Sequence, residues 1–346
     1  MTVHLGLDTF GDVTVDDDGR PVPHAQVVRD VVEQAVLADQ VGVDAIGIGE
    51  HHRDDYAVSA PDVVLAAVAA RTERILLGTA VTVLSSDDPV RVYERFATID
   101  ALAPGRAEVT LGRGSFTESF PLFGFELGDY ERLFSEKLDL WAALQADGPV
   151  SWRGSVRGPL EEAEVFPRPT AGHIPTWVGV GGSPESVVRA AHYRFPMMLA
   201  IIGGEPERFG PYVDLYHRAL RELGDDADAP LLPVGVHSPG FVADTDAEAR
   251  ELLFPHFKAN RDRIGRERGW GPATREQFDA EIEVGSLYVG SPETVAAKIA
   301  RTVRGLGVQR FDLKYSNGPM PHGRLMRAIE LYGTQVAPRV RELLAD

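Results

Sequence analysis

The chain has 346 residues, of which 44% are hydrophobic and 25% charged, a composition typical of globular proteins that excludes collagen-like and disordered classes. With 35 Lys and Arg against 52 Asp and Glu, the formal net charge is −17, which excludes a basic surface for nucleic acid or anionic lipid. The absence of cysteine excludes disulfides, thiolate nucleophiles and Cys-ligated metals. The amino-terminal residues lack the features of a signal peptide, and no run approaches the ~18 apolar residues of a membrane span. We therefore expect a cytoplasmic protein without a membrane partner, which binds small molecules or a second copy of itself.

Short apolar runs alternate with longer amphipathic stretches along the whole chain, a pattern that predicts alternating strands and helices. The predicted strands cover residues 3–7, 44–48, 75–84, 107–111, 176–180, 197–202, 232–242 and 310–315. The predicted helices cover residues 24–41, 62–71, 90–102, 130–146, 184–193, 206–223, 246–260, 292–306 and 322–344. The pattern is that of eight strand–helix units.

Serial alternation of this kind requires parallel strands joined by helical crossovers, and eight units is the number that closes a (β/α)8 TIM barrel. The competing α/β architecture, a doubly wound open sheet, normally carries its glycine-rich turn after the first strand, whereas here that turn follows the fifth. We expect one domain over residues 1–346. A barrel takes ~250 residues, so residues 112–128, 148–173 and 260–283 are predicted to be insertions, after strands four and seven.

In such a barrel the active site lies at the carboxyl ends of the strands. Directly after the second predicted strand, residues 49–55 (GEHHRDD) form a dense run of titratable groups. His51 or His52 could act there as general base or hydrogen-bond donor, because imidazole titrates near neutrality. A surface loop that merely contains histidines is the alternative. Neighbouring residues of an extended chain point in opposite directions and no HxH or HxxxH spacing is present, so we expect no metal site.

Two further strand ends carry candidate ligand contacts. Residues 78–82 (GTAVT), at the third strand, are small and apolar, which suits close approach of the backbone to a flat ligand or ordinary filling of the barrel core. After the fourth strand, Arg113 lies between Gly112 and Gly114. A guanidinium binds phosphate in a fork geometry and glycines let backbone amides approach an anion, although a simple turn has the same residues.

The segment after the fifth strand is more specific. Val180 is followed by Gly181, Gly182, Ser183 and Pro184, in which the serine is a helix cap and the proline suits a first helical turn. Such a start presents free backbone N–H groups and the positive end of the helix dipole, which together favour phosphate, unless it is only a capped helix. The residues thus predict a barrel that holds a phosphate-bearing ligand, with a histidine at its mouth.

Short motifs along nearly the whole chain resemble, in order and spacing, those of bacterial luciferase and its flavin-dependent relatives. These motifs are residues 42–46 (GVDAI), 50–52 (EHH), 78–81 (GTAV), 89–91 (PVR), Asp100, 105–106 (GR), 113–114 (RG), 123–124 (FG), 182–183 (GS) and 289–295 (VGSPETV). The resemblance implies a (β/α)8 barrel, a flavin with its ring in the barrel mouth, and a homodimer. It also implies that His51 is the active-site histidine, near the reactive edge of the flavin, where it assists proton transfer.

The resemblance implies the contacts of the cofactor as well. Thr79, Ala80 and Val81 would lie against the flavin ring, and the Ala80–Val81 peptide falls where luciferase has a non-proline cis peptide. The implied phosphate contacts are Arg113, Arg132, Gly181, Gly182, Ser183 and Ser186.

The chain also departs from luciferase. Gly112 matches the position of the reactive cysteine and Ser119 matches an acidic position, so light emission from a long-chain aldehyde is not implied. Residues 260–283 lie where luciferase has a mobile lid, which would exclude water from a reactive oxygenated flavin. His237 and Ser238, in the seventh strand, face either the substrate or the barrel core.

These features predict a flavin-dependent monooxygenase or oxidoreductase that uses reduced FMN and O2 on a small organic substrate, with the FMN reduced by a separate flavin reductase. One alternative is hydride transfer with a deazaflavin coenzyme, as in one branch of this superfamily. The EHH and GGSP motifs are closer to the FMN branch. The other alternative is a flavin-binding protein without turnover, which the retention of His51 disfavours.

Overall fold

The computed structural model describes residues 3–114, 116–224 and 231–345, apart from the side chains of residues 267 and 268. The strands are β1 (His4–Thr9), β2 (Ala45–Ile48), β3 (Leu76–Thr79), β4 (Thr82–Val83), β5 (Val109–Gly112), β6 (Val150–Trp152), β7 (Leu160–Ala163), β8 (Thr176–Val180), β9 (Met197–Ala200), β10 (Val234–Val242), β11 (Tyr288–Gly290) and β12 (Arg310–Lys314). The α-helices are α1 (His24–Gln40), α2 (Pro61–Ala69), α3 (Pro89–Leu102), α4 (Ser119–Leu122), α5 (Tyr130–Leu144), α6 (Pro184–His192), α7 (Gly210–Glu222), α8 (Asp246–Arg268), α9 (Arg275–Glu283), α10 (Pro292–Leu306), α11 (His322–Leu331) and α12 (Ala337–Ala345).

The strands form a parallel barrel, which confirms the predicted fold class. Around it the order is β1, β2, β3, β5, β8, β9, β10 and β12, and β12 pairs with β1 again. The chain of β3 resumes as β4 beyond the Ala80–Val81 peptide, and both strands reach β5: Leu77 bridges Ala107, and Thr82 pairs with Leu111. The short β11 extends the end of β10, and β6 and β7 form a separate antiparallel hairpin.

The barrel strands are buried almost throughout, because helices cover their outer faces and side chains fill the interior. Capping side chains begin the crossover helices. Asp88 accepts from the amides of Val90 and Arg91 at the start of α3, and Ser183 and Ser291 cap α6 and α10. A proline follows each of these three caps, where its missing N–H costs nothing.

Three predicted elements differ in extent. The predicted strand at residues 75–84 is interrupted between β3 and β4, and ends in a short 3-10 turn. The predicted helix at 246–260 continues to Arg268 and ends where Gly269 adopts a positive φ of 72°, so the predicted insertion at 260–283 consists largely of the end of α8 and of α9. The last predicted helix is divided into α11 and α12 by a π-helical turn, Tyr332–Val336. No helix among the described residues is long and apolar enough to span a bilayer.

Candidate functional site

His51 lies three residues beyond β2, at the carboxyl end of the barrel, and is 9% exposed. Its Nδ1 is 3.0 Å from Oε1 of Glu118, which follows β5. Burial alone would raise the pKa of the Glu118 carboxyl, but the hydrogen bond from His51 holds it below its usual value. An ionised carboxylate only accepts hydrogen bonds, so Nδ1 carries the proton that is donated to Glu118. Nε2 of His51 is then the nitrogen left for a ligand.

Aromatic rings enclose this imidazole on several sides. The ring centroids of Phe10, Tyr56 and Phe116 lie 5.1, 4.5 and 4.6 Å from that of His51. Burial raises the pKa of the Tyr56 phenol, which therefore stays neutral. The cage restricts the orientation of the imidazole and leaves His51 only 9% exposed to water.

His52 points to different neighbours. Its ring makes an edge contact with Phe123, at 5.0 Å between centroids, and its Nε2 lies 3.6 Å from Oε1 of Glu50. The two adjacent histidines therefore do not converge on one point, in agreement with the expectation from an extended chain.

The Ala80–Val81 peptide is cis, as the resemblance implies. Beneath it, Oγ1 of Thr79 donates to the carbonyl of Thr110 at 3.2 Å and accepts from Oγ1 of Thr82 at 3.0 Å. The Thr79 side chain is buried, and its hydrogen bond to Thr110 ties β3 to β5. Ala80 and Val81 remain half-buried at the barrel mouth. Ala80 and Val81 are consequently the members of this trio that a ligand can reach from the mouth.

Glycines surround this peptide and leave room for it. A Cβ at Gly112 would lie 3.1 Å from Cβ of Val81 and closer still to its Cγ2, and one at Gly179 would lie 3.1 Å from Cγ1. A Cβ at Gly47 would lie 3.0 Å from that of Ala80. Val81 therefore occupies the space that a side chain at position 112 would need. The result is a floor almost free of side chains, suited to a flat ring.

The start of α6 lies beside the end of β5, because β5 and β8 are parallel neighbours. Ser183 caps the helix: its Oγ accepts from the amide of Ser186 at 3.3 Å and donates to Oγ of Ser186 at 2.9 Å. Gly182 has a positive φ of 96°, which glycine adopts without strain. Ser186 is buried, while Gly181 is exposed. Backbone amides and hydroxyls thus converge at the positive end of the helix dipole.

Arg113 and Arg189 are joined through one carboxylate, that of Glu131 in the first turn of α5. Nη1 of Arg113 pairs with Oε1 of Glu131, and Nη2 of Arg189 lies 2.8 Å from Oε2 of the same group. Nη1 of Arg189 is buried and has no hydrogen-bond acceptor among the described residues. An unsatisfied buried guanidinium nitrogen is a donor that a bound phosphate could satisfy. Sequence reasoning missed Arg189, although its position three residues after Ser186 places both on one helix face.

Arg132 has other neighbours. Its Nη2 lies 2.7 Å from Asp129, and its Nη1 donates to Oγ of Ser155 at 3.1 Å. The structure therefore brings Arg113 together with Arg189 and turns Arg132 towards the segment that follows β6. The same loop carries Glu118, whose carboxylate reaches His51, and the neighbouring Ser119 is buried.

A second carboxylate–histidine pair lies on the other side of Phe10. Nδ1 of His237 is 2.6 Å from Oδ2 of Asp8, and its ring stacks on Phe10 at 6.3 Å. Burial alone would lower the pKa of His237, but the charge and hydrogen bond of Asp8 raise it. Ser238 is fully buried, with its Oγ 2.8 Å from the carbonyl oxygen of Ile201. Between His237 and Ser238, only His237 contacts a ring of the aromatic cage around His51, that of Phe10. Asp8 was missed, although a charged residue inside an apolar strand was the available signal.

The end of α8 contacts the loop that carries His51. Nε of Arg263 lies 3.0 Å from Oδ2 of Asp55, and its Nη2 pairs with Asp54. At Gly318 there is no space for a side chain, since a Cβ would meet the backbone of His256. The segment expected to resemble a lid thus contacts the loop that carries His51 through Arg263.

Comparison with known proteins gives these features a context. A profile described as "Luciferase-like monooxygenase" matches residues 9–310. The uncharacterized protein y4vJ of Sinorhizobium fredii (strain NBRC 101917 / NGR234) is 37% identical over 335 residues, 92% of this chain and 93% of the relative. The N-acetyl-S-alkylcysteine monooxygenase of Bacillus subtilis (strain 168) is 28% identical over 292 residues, 80% of this chain and 83% of the relative.

Solved structures share the fold. Monooxygenase RslO1 from Streptomyces bottropensis superposes with a TM-score of 0.82 at 23% identity, covering 97% of this chain and 99% of that one. The oxygenating constituent of 3,6-diketocamphane monooxygenase from Pseudomonas putida, in complex with FMN, gives 0.77 at 20% identity, covering 98% and 99%. An F420-dependent secondary alcohol dehydrogenase gives 0.74 at 20% identity, covering 99% and 100%. Because the profile matches most of its length, the chain belongs to the luciferase-like monooxygenase family.

Proposed function

We propose that this protein is a monooxygenase that uses reduced FMN and O2 to oxidise a small organic substrate. The observation that carries the proposal is the meeting, at one end of the barrel, of three features: the Arg113 and Arg189 cluster, the flat floor at Ala80 and Val81, and the His51–Glu118 pair. Together they offer a place for a phosphate, a place for a flat ring and a group that handles protons.

The proposed phosphate site is supported by two arginines and by the amino-terminal end of α6. Arg113 and Arg189 supply guanidinium donors, Ser183 and Ser186 supply hydroxyls, and the Gly181 and Gly182 segment lies at the start of α6. This local positive site is needed because the chain as a whole carries a net charge of −17, which repels a phosphate.

The proposed role of His51 in proton transfer is supported by its hydrogen bond to Glu118. Bound reduced FMN would supply the electrons for O2, while the protein positions the reactants and controls protons. Glu118 holds the Nδ1 proton, so Nε2 of His51 can accept a proton and return it. Phe10, Tyr56 and Phe116 exclude water from that exchange.

Deazaflavin-dependent hydride transfer is the second candidate, since an F420-dependent alcohol dehydrogenase shares the fold. A phosphate-bearing deazaflavin would use the same arginine cluster. The two candidates differ in their use of oxygen, because only the monooxygenase consumes O2 with product formation. A flavin-binding protein without turnover is the third candidate.

The proposal extends to partners and location. A separate flavin reductase would deliver reduced FMN, and the working unit would be a homodimer in the cytoplasm. The absence of cysteine is compatible with that reducing compartment. Co-purification with a reductase is not required, because diffusion of reduced FMN suffices for the assay below.

The test starts with titrations of FMN, riboflavin and deazaflavin, followed by flavin absorbance and fluorescence. Oxygen consumption is then measured with FMN and an NAD(P)H-driven reductase, with S-alkylcysteine derivatives in the first substrate panel because of the Bacillus subtilis relative. Arg113→Ala and Ser183→Ala should each weaken FMN binding by ~1–3 kcal/mol. Arg132→Ala decides whether that arginine contributes, and Arg153→Ala, which removes an exposed arginine paired with Glu161, controls for charge.

Binding of FMN without product formation that depends on His51 would contradict the monooxygenase. Exclusive binding of the deazaflavin would favour hydride transfer. Equal affinity for FMN and riboflavin in every variant would refute the phosphate site.

A further inference from the structure

We propose that Glu131 is an internal competitor for the cofactor phosphate, so that the phosphate displaces this carboxylate from Arg113 and Arg189 each time the cofactor binds. The inference rests on the proposed function and adds a control on affinity at the same site. A competitor of this kind makes the cofactor exchangeable, as a flavin delivered by another protein must be.

The geometry places Glu131 where an anion belongs. Its two carboxylate oxygens are divided between the two arginines, Oε1 to Arg113 and Oε2 to Arg189. A phosphate monoester bridges two guanidinium groups in the same manner, with more charge and three terminal oxygens. Carboxylate and phosphate therefore compete for the same donors.

The arginines are fixed while the carboxylate is free to leave. The side chains of Arg113 and Arg189 are only 23% and 16% exposed, whereas that of Glu131 is 59% exposed. The guanidinium of Arg113 lies 5.2 Å from the ring centroid of Tyr130, and that of Arg189 lies 5.5 Å from the centroid of Phe134. These ring contacts hold the arginines in place after Glu131 turns into solvent.

Further contacts keep the site ready for a ligand. The hydroxyl of Tyr130 donates to the carbonyl of Gly114 at 2.7 Å, which anchors the ring under Arg113. The segment that carries Arg113 is thus tied to the first turn of α5, where Glu131 also lies. Release of the carboxylate requires only a side-chain rotation, since the backbone of both segments is held by other contacts.

Nη1 of Arg189 distinguishes the Glu131 carboxylate from a phosphate as the bound anion. Both oxygens of Glu131 are engaged, yet Nη1 of Arg189 is buried and has no acceptor among the described residues. A buried donor without a partner is costly, and the third oxygen of a phosphate can satisfy it. The site with Glu131 in place is therefore incomplete for Arg189, and phosphate is the better occupant.

The expected size of the competition follows from exposure. Each ion pair at a solvent-accessible position is weak, but Glu131 makes two of them, so its removal should tighten FMN binding by about tenfold in total. Riboflavin lacks the phosphate, and its affinity should not change. Inorganic phosphate should bind more tightly to the variant for the same reason.

The experiment compares the wild-type chain with Glu131→Gln and with the matched control Glu161→Gln, which removes the same charge from an exposed pair with Arg153. Dissociation constants are measured for FMN, riboflavin and inorganic phosphate, and circular dichroism confirms that each variant is folded. We expect about tenfold tighter FMN binding in Glu131→Gln alone, unchanged riboflavin binding, and at least tenfold weaker FMN binding in Arg189→Ala.

Glu131→Gln that binds FMN as wild type or more weakly would overturn the inference, because Glu131 would then only support the arginines. If the wild type prefers FMN to riboflavin, such a result leaves the proposed phosphate site intact. If no variant distinguishes FMN from riboflavin, the proposed function fails first, and the inference fails with it.

Discussion

Substitution of Gly112 by alanine tests the floor of the site directly. Gly112 has a φ that any residue adopts, so the added methyl group acts through its contacts and not through backbone strain. It would lie under 3.0 Å from Cγ2 of Val81, 3.1 Å from its Cβ and 3.3 Å from its Cγ1. Ordinary contacts between carbons are about 3.5–4.0 Å, so Val81 or the strand has to shift.

The magnitude follows from overpacking. Extra carbon in a packed interior costs ~1–3 kcal/mol in the free energy of unfolding. Rotation of Val81 gives little relief, because its other methyl already fills the space beside Gly179. We therefore expect Gly112→Ala to lower the free energy of unfolding by ~2 kcal/mol and to weaken FMN binding by displacing the floor.

The assay is guanidinium unfolding followed by the fluorescence of the four tryptophans. Gly158→Ala is the matched control, since a Cβ there meets nothing within 4 Å and the change in unfolded-chain entropy is the same. Val81→Ala removes both clashing methyl groups. The free energy of unfolding of the double variant should therefore be at least ~1 kcal/mol higher than the sum of the two single effects predicts. Equal stability of Gly112→Ala and Gly158→Ala, or strict additivity in the double variant, would refute the reasoning.

Three further predictions concern proton handling and the mouth. Glu118→Gln should lower the FMN-dependent rate of oxygenated-product formation by ~10–100-fold, because the carboxylate no longer fixes the proton of His51. The raised pKa of His237 adds stability that is complete below pH 6.5 and is lost as the pH rises through the folded-state value, so Asp8→Asn should flatten the fall in unfolding free energy above pH 6.5. Arg263→Ala should change global stability by less than ~1 kcal/mol but increase amide exchange in the end of α8.

Each of these has a control and a contrary outcome. FMN affinity should stay within about twofold of wild type in Glu118→Gln, and undiminished turnover in that variant would exclude the carboxylate from proton handling. A wild-type stability that is constant from pH 6.5 to 9 would contradict the charged His237. Arg250→Ala, which removes another partly exposed salt bridge of α8, is the control for Arg263. Equal amide exchange in both variants would mean that the Arg263 contact does not hold the end of α8 in place.

The sequence alone predicts the fold, which the structure confirms, and it singles out the strand ends that carry the candidate site. The periodicity of apolar residues within a segment predicts whether that segment is a strand or a helix. The serial alternation of strands and helices then excludes most other chain topologies. His51, Arg113 and Ser183 were identified because each directly follows a barrel strand, and all such positions meet at one rim. The cis Ala80–Val81 peptide was expected from the resemblance, not from the residues.

The partners of those residues were decided only by the tertiary structure. Glu118 is 67 positions from His51, and Asp8 is 229 positions from His237, so no local pattern links them. Arg189 comes to share the Glu131 carboxylate with Arg113 because β5 and β8 become neighbours when the barrel closes. Local periodicity determines which segments become strands, whereas the closure of the barrel and the paths of its loops determine which side chains face each other.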